Sequence, residues 1–293
     1  MPGILDVLSA WRLDPVALIA IAIAAGLYLN GLMKLRRHGI RWPAWRTWCF
    51  FLFGLGSFAV VNLGFLAVWS TDLRFAFTTR IALLLFAVPG LISLGAPVTL
   101  ARQVLGVGSL KVFDDVLNSW PVRLVGNAVF APLFALAAFM VFVTPLAGAL
   151  RESPTALSIL SIVVPVVGLV MVLPIVEQTN QRTSFYITVE FILVFVELVL
   201  DAIPGLLVRL NNHILDHIGP VVGALPGWFP SPLRDQQLSG DLLWLIAEIG
   251  DIPILIVMFI RWSKVDRKEA KNLDELTDEQ MAELTREHLR GQR

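Results

Sequence analysis

Acidic side chains inside two apolar stretches are the residues best placed to do chemistry in this sequence. Residues 234–262 form an apolar run that carries regularly spaced polar side chains, namely Gln237, Asp241, Trp244, Glu248 and Asp251. Their steps of four, three, four and three keep all five on one face of an α-helix, because residues three or four apart share a side. Carboxylates within a membrane helix are costly, so this face is a candidate functional site.

A second apolar run, residues 187–209, repeats this arrangement with Glu190, Glu197 and Asp201 at steps of seven and four. No Lys or Arg falls in the central part of any apolar run, so the sequence predicts no basic partner for these acids at their own depth. Three interpretations stay open, namely protonated acids that hydrogen-bond between helices, a proton or cation site, and contact with a partner subunit. The second of these would make the protein a proton or metal-cation transporter.

The composition indicates the elements that must position these acids. Of the 293 residues, 56% are hydrophobic and only 16% are charged, whereas a soluble domain is about a quarter charged. Runs of about 20 apolar residues, the length that crosses a bilayer, lie near 15–35, 47–69, 80–101, 124–147, 156–176, 187–209 and 238–261. The sequence therefore predicts an all-α integral membrane protein with seven transmembrane helices in a single domain, residues 15–262.

The distribution of basic residues predicts how these helices are oriented. Most of the 23 Lys and Arg follow the first, third, fifth and seventh runs, and this side of a membrane protein is normally cytoplasmic. We therefore expect an external N-terminal segment at residues 1–14 and a cytoplasmic, partly helical tail at residues 263–293. We expect membrane lipid and other membrane proteins as partners, and no nucleic acid.

Metal-binding and catalytic residue patterns are sparse. His213 and His217 are four residues apart and would share a face if their segment were helical, as in a transition-metal site. Cys49 is the single cysteine, so a disulfide within the chain is excluded. The sequence has no Ser-His-Asp arrangement and no Gly-rich phosphate loop, which favours a protein that is not an enzyme.

Two motifs carry a resemblance to a known family. The stretch LLLFAVPGLISLGAPVTLARQVL (83–105) contains Pro89, Gly95 and Pro97. The stretch DQQLSGDLLWLIAE (235–248) supplies a second set, Asp235, Gln236, Gln237, Gly240 and Trp244. Together they resemble the signature regions of CtaG-type cytochrome c oxidase assembly proteins, and the seven-span layout with an internal C-terminus fits that family.

The resemblance implies a bacterial plasma-membrane protein that helps to mature a haem-copper oxidase, with a respiratory oxidase subunit as partner and copper as the candidate metal. Family members typically have paired histidines in the third span and at the start of the fifth. Here those regions read FAFTTRIALLL (75–85) and PTALSILSIVV (154–164), without histidine. The chain thus resembles a divergent member that either uses His213, His217 and the acids, or acts on its partner without a metal.

Overall fold

The computed structural model describes residue 5 and residues 9–127, 130–176, 184–217 and 229–274, and every regular element within these ranges is helical. Of Glu190, Glu197 and Asp251, only the backbone is described. In the first half of the chain the α-helices are α1 (Pro15–Arg37), α2 (Ala44–Trp48), α3 (Gly56–Leu63), α4 (Phe65–Val68), α5 (Arg74–Ala82), α6 (Val88–Ser93), α7 (Pro97–Val104), α8 (Val107–Leu117) and α9 (Trp120–Val125). In the second half they are α10 (Phe130–Met140), α11 (Leu146–Glu152), α12 (Pro154–Val176), α13 (Ser184–Leu210) and α14 (Pro232–Asp274).

Helix α1 has clear chemical signals at both ends. Asp14 precedes it, and the Asp14 carboxylate accepts hydrogen bonds from the backbone N–H of Val16 at 2.9 Å and of Ala17 at 3.4 Å. Pro15 follows Asp14 at the first helical position, where its missing N–H costs nothing. The last turn contains three basic residues that complement the negative end of the helix dipole, Lys34, Arg36 and Arg37.

The next two spans each contain a stretch of π-helix. Cys49–Leu55 joins α2 to α3, and Leu83–Ala87 joins α5 to α6. Pro89 contributes to the second irregularity, because it has no N–H to donate to the Leu85 carbonyl four residues earlier. Gly168 of α12 packs so closely against this carbonyl that a Cβ at position 168 would overlap its oxygen.

The Gly-Ala-Pro motif makes the break between α6 and α7. Ala96 adopts a left-handed conformation with φ of 48°, and Pro97 opens α7. Gly95 is required because a Cβ there would lie only 2.6 Å from Cβ of Phe50. The Tyr28 hydroxyl donates to the Gly95 carbonyl at 2.9 Å, which ties the motif to α1.

In the region of the predicted span at 124–147, the described helices are interrupted. Helix α9 ends at Val125, α10 passes into a 3₁₀ turn at Val141–Val143, and the chain then bends by 80° into α11. Pro145 explains the bend, since the residue before a proline is held out of the helical conformation and Thr144 is extended.

Helices α13 and α14 pack side by side through glycines. A Cβ on Gly205 would lie 2.9 Å from the Gly240 carbonyl oxygen, and a Cβ on Gly240 would lie 2.6 Å from the Arg209 nitrogen. Helix α14 continues beyond the predicted span at 238–261 into the first residues of the predicted tail, and residues 275–293 lie outside the described part of the chain.

The main apolar core lies between α5, α10, α12, α13 and α14, with Phe139 and Leu243 fully buried in it. Four described segments are long and apolar enough to cross a membrane, and their bounds are Pro15–Arg37, Ala44–Val68, Arg74–Ser93 and Pro154–Leu173. The bent pair Pro132–Val143 and Leu146–Glu152 adds a fifth if it is one span. Within the described ranges the protein is therefore all-helical with four or five candidate spans.

Candidate functional site

Asp216 lies between two arginines at one end of the helical bundle. Its Oδ1 is 2.8 Å from Arg74 Nη2, and its Oδ2 is 3.0 Å from Arg151 Nη2. All three side chains are at most 10% exposed, so the charges are largely removed from solvent. We use the term polar cluster for Arg74, Arg151, Asp216, Asp235 and Gln236.

Asp235 joins the start of α14 to the start of α5. Its carboxylate accepts hydrogen bonds from the backbone N–H of Arg74 at 2.8 Å and of Phe75 at 3.0 Å. These N–H groups belong to the first turn of α5, where no partner exists within the helix, so Asp235 acts as a cap supplied by a distant helix. Burial raises the pKa of the Asp235 carboxyl, while the two N–H donors and the Arg74 guanidinium act to lower it.

Gln236 holds the segment that follows α13. Its Oε1 accepts from the Leu215 N–H at 2.8 Å, and its Nε2 donates to the His213 carbonyl at 2.9 Å. Arg151 also donates from Nη1 to the Thr71 carbonyl at 2.8 Å. Four separate stretches of chain therefore meet at the polar cluster.

A small cavity adjoins the polar cluster. It has a volume of about 20 Å³, enough for about one water molecule, and its polar lining includes Arg151, Asp216 and Ser239. Within the described residues, Nε of Arg151 is buried and has no hydrogen-bond partner. The cavity is therefore suited to a single polar molecule of the size of water.

The comparison with known proteins identifies the family. The model of the cytochrome c oxidase caa3 assembly factor family (Caa3_CtaG) matches residues 26–265. The chain belongs to this family. The resemblance predicted from the two motifs is thus confirmed, and membership together with the apolar helices makes this a multi-pass membrane protein of an oxidase assembly family.

The chain is also similar to mycobacterial proteins. It is 27% identical over 296 residues to uncharacterised proteins of Mycobacterium bovis and Mycobacterium tuberculosis, and 26% identical over 300 residues to one of Mycobacterium leprae. These alignments cover 96% of this chain but only 44% of each relative, so the chain spans less than half of their length. No solved structure matches the chain.

The family motif residues have distinct positions in the structure. Asp235 and Gln236 are buried in the polar cluster, and Gly240 allows the close contact between α13 and α14. Gln237 is partly buried, and the Trp244 side chain is 42% exposed. Sequence reasoning therefore singled out two of the five residues of the polar cluster. It missed Arg74, Arg151 and Asp216, whose contacts span long sequence separations.

The two regions where family members typically carry histidines lie beside the polar cluster, after Arg74 and after Arg151. Copper binding needs imidazole or sulfur ligands, whereas the polar cluster offers guanidinium groups that are already paired with carboxylates. Among the described residues, no three His, Cys, Asp or Glu side chains are close enough to hold a metal. The described residues at this end of the bundle therefore do not fit a resident copper ion.

The acid stripes are only partly described. Asp201 of α13 is 1% exposed. The expectation that none of the acids has a basic partner is wrong for Asp241, whose Oδ1 lies 2.8 Å from Arg209 Nε. Glu248 accepts a hydrogen bond from Trp244 Nε1 at 2.9 Å, within its own helix. The side chains of Glu190, Glu197 and Asp251 lie outside the described structure.

The histidine pair does not have the helical arrangement considered from its spacing. Residues 211–217 are non-helical, and His217 has a left-handed backbone with φ of 53°. Both side chains are exposed, and His213 contributes to the polar cluster through its backbone carbonyl. The four-residue spacing therefore does not place the two imidazoles on one helical face, and metal binding by the pair stays a prediction.

Arg80 is a buried charged residue, although the predicted span at 80–101 would place it at the edge of the membrane. Helix α5 begins at Arg74 rather than at residue 80, so Arg80 lies nearly two turns inside the helix and is 3% exposed. Its Nη2 donates to Asn62 Oδ1 at 2.9 Å, and Asn62 donates in turn to the Phe58 carbonyl. The polar residue Asn62 lies inside an apolar run, and this was the sequence feature that could have indicated a buried polar partner such as Arg80.

Proposed function

We propose that the protein is a non-enzymatic accessory factor that supports the maturation of a haem-copper oxidase in the bacterial plasma membrane. The observation that carries the proposal is the family match over residues 26–265. The step we assign is support of the catalytic subunit while copper is loaded. The partner is then an oxidase subunit within the same membrane.

The geometry of the polar cluster favours a role in holding a partner over a role as a copper carrier. The two arginines and Asp216 fix residues 69–73 and 211–217 against each other. The exposed side chains on these segments, such as Thr71 and His213, are thereby presented on a defined polar surface. A surface of this kind is suited to recognition of a folded subunit, whereas the polar cluster contains no imidazole or sulfur side chain for copper.

We further propose the complete topology that the sequence predicts. It has seven spans, an external N-terminus and a cytoplasmic C-terminus, which places the polar cluster on the external side. Residues 1–14 are external, residues 15–262 form the membrane domain, and residues 263–293 are cytoplasmic. The basic links after the first and third spans support this orientation.

The decisive experiment compares a deletion strain with strains that carry the restored gene. We expect deletion to lower oxidase activity and oxidase copper content, while haem still enters the catalytic subunit. Restoring the gene with Arg151→Met should recover less activity than restoring it with Asp114→Asn, which alters an exposed ion pair with Arg102. Normal oxidase activity and copper content in the deletion strain would exclude the proposed function.

A transporter of protons or metal cations is the second candidate function. The observation that favours it is the fully buried carboxyl of Asp201 inside α13. In proteoliposomes, this candidate predicts an ion flux that is abolished by Asp201→Asn and kept by the matched change Asp115→Asn at an exposed position of α8. Absence of flux from the unmodified protein would eliminate it.

A further inference from the structure

The link between α1 and α2 is rich in exposed basic side chains. We use the term basic connector for residues 34–46, which run from the last turn of α1 into α2. Its exposed cations are Lys34, Arg36, Arg37 and Arg41. The sequence has no Asp or Glu between Asp14 and Asp72, and within the described ranges none of the four cations forms an ion pair. The basic connector therefore carries positive charge that the described part of the chain leaves uncompensated.

The depth of the basic connector follows from the two candidate spans that it joins. These spans are Pro15–Arg37 and Ala44–Val68, so only six residues separate them. At about 3.5 Å per residue, a link of this length that leaves and re-enters the same side reaches at most about 12 Å from the hydrocarbon. The headgroup region of a bilayer lies within this distance. The exposed cations are therefore within reach of lipid phosphate groups.

The helix faces next to the basic connector are open to acyl chains. Leu29, Met33 and Arg37 follow one another at steps of four, so one exposed face of α1 passes from apolar side chains to a guanidinium. On the following span, Trp48 and Leu52 are 69% and 62% exposed and also lie four residues apart. An indole prefers the headgroup region, whereas leucine prefers the hydrocarbon. Apolar and cationic groups thus adjoin each other at the same membrane surface.

Side-chain contacts hold the basic connector in a defined conformation. Trp42 Nε1 donates to the Tyr28 hydroxyl at 3.1 Å, and this hydroxyl donates to the Gly95 carbonyl at 2.9 Å. The Arg46 guanidinium lies over the rings of Trp42 and Trp45, at 5.2 and 5.6 Å from their centroids. A fixed backbone reduces the entropy that is lost when the exposed cations bind a ligand.

An anionic phospholipid matches this combination of groups. Its phosphate can accept paired hydrogen bonds from a guanidinium, and its acyl chains can cover the adjoining apolar face. An acidic protein segment would match the charges but has no group for that apolar face. A headgroup that also carries an ammonium, as in phosphatidylethanolamine, would find no carboxylate within residues 15–71. A lipid with a net negative headgroup is therefore favoured.

We propose that the basic connector binds an anionic phospholipid, with the lipid phosphate among the four exposed cations and an acyl chain along Leu29 and Met33. Binding requires no oxidase, because every contact comes from this chain. The lipid site and the assembly function are independent, so the failure of either proposal leaves the other standing.

The first test measures lipid binding by the purified 293-residue chain in detergent micelles. Native mass spectrometry counts the bound lipids across a titration and gives a dissociation constant. Phosphatidylglycerol should bind at least about tenfold more tightly than phosphatidylethanolamine, because each basic side chain near a membrane surface adds about fivefold to the affinity for anionic lipid. Arg37→Gln should accordingly weaken the binding of phosphatidylglycerol about fivefold, and Arg36→Gln, Arg37→Gln and Arg41→Gln together about a hundredfold. The thermal unfolding midpoint of each variant without lipid checks that the fold is kept.

Lys111→Gln is the matched control, since Lys111 is an exposed cation of α8 outside the basic connector. It should leave the dissociation constant for phosphatidylglycerol unchanged. Equal weakening by Lys111→Gln and Arg37→Gln would show a diffuse attraction of anionic lipid to the whole surface, and this result would overturn the proposal.

Two soluble competitors separate the lipid from other anionic ligands. Glycerol phosphate has the phosphate without an acyl chain, and a tetraglutamate peptide represents an acidic protein segment. Neither should displace phosphatidylglycerol at equal concentration. Displacement by glycerol phosphate would show that the apolar face contributes nothing, and displacement by the peptide would show a protein-binding surface. Either displacement, or equal affinity for the two lipids, would overturn the proposal.

Discussion

The Asp216 carboxylate pairs with two buried guanidinium groups at once, so its removal should weaken the burial of both. Changing Asp216→Asn keeps the size of the side chain but leaves Arg74 and Arg151 without this carboxylate. We expect the free energy of unfolding to fall by about 3–5 kcal/mol, as when one partner of a buried ion pair is removed. Equilibrium unfolding in mixed detergent micelles measures this change.

The matched control for Asp216 is Asp114, which pairs with Arg102 in an exposed position. Asp114→Asn should cost less than about 1 kcal/mol, because exposed ion pairs contribute little. If the two variants lowered the unfolding free energy equally, the polar cluster would not stabilise the fold in the way described.

The Arg80–Asn62 pair should behave as a coupled unit. Asn62→Leu removes the acceptor of a buried guanidinium and should lower the unfolding free energy by about 1.5–3 kcal/mol. The double variant Asn62→Leu with Arg80→Met also removes the charge, so it should cost less than the two single changes added together. A double-mutant cycle in the same micelles checks this, and additive costs would contradict the coupling.

At the scale of residues, local sequence patterns predicted only part of the candidate site. Asp235 and Gln236 lie in a family motif, so the resemblance singled them out. Arg74 and Asp216 are 142 residues apart in the sequence and make their contact through the fold. Helical periodicity relates residues three or four apart, and it carries no information about such a pair.

At the scale of elements, Gly168 of α12 is the contact most sensitive to added volume. Gly168→Ala would force a methyl group against the Leu85 carbonyl in the π-helical turn. We expect the change to destabilise the protein by about 1–3 kcal/mol, as overpacking does, and to lower its thermal unfolding midpoint.

Gly90 offers a control of the same type in a neighbouring element. A Cβ at Gly90 meets nothing within 4 Å, so Gly90→Ala should be neutral or stabilise the protein by up to about 1 kcal/mol. Equal destabilisation by the two substitutions would show that close packing at Gly168 is not the cause.

Hydrophobic run length predicted most of the long helices but not their irregularities. The predicted spans at 15–35 and 156–176 agree closely with α1 and α12. The second π-helical stretch and the 80° bend before α11 lie next to Pro89 and Pro145, which disturb regular helical hydrogen bonding. A hydropathy pattern records length and composition, so it does not register these interruptions.

At the scale of the whole molecule, the proposed orientation predicts which side of the membrane each loop faces. Single cysteines introduced in a Cys49→Ala background can be probed with a membrane-impermeant maleimide. Thr71→Cys and His213→Cys should react in intact cells, because Arg151 links both segments at one end of the bundle. Ser109→Cys should react only after the cells are permeabilised, and the reverse pattern would show the opposite orientation.

The contact between Asp235 and α5 has a consequence for the order of events during synthesis. The Arg74 N–H and the Asp235 carboxylate are separated by 161 residues. At about 5–20 residues per second, the ribosome needs roughly 10–30 seconds to travel from one to the other. Throughout that interval the first turn of α5 lacks its cap, and for the first 142 of these 161 residues Arg74 also lacks Asp216. We therefore expect a chain truncated before residue 235 to leave the first turn of α5 without its cap and Arg74 without the Asp235 carboxylate.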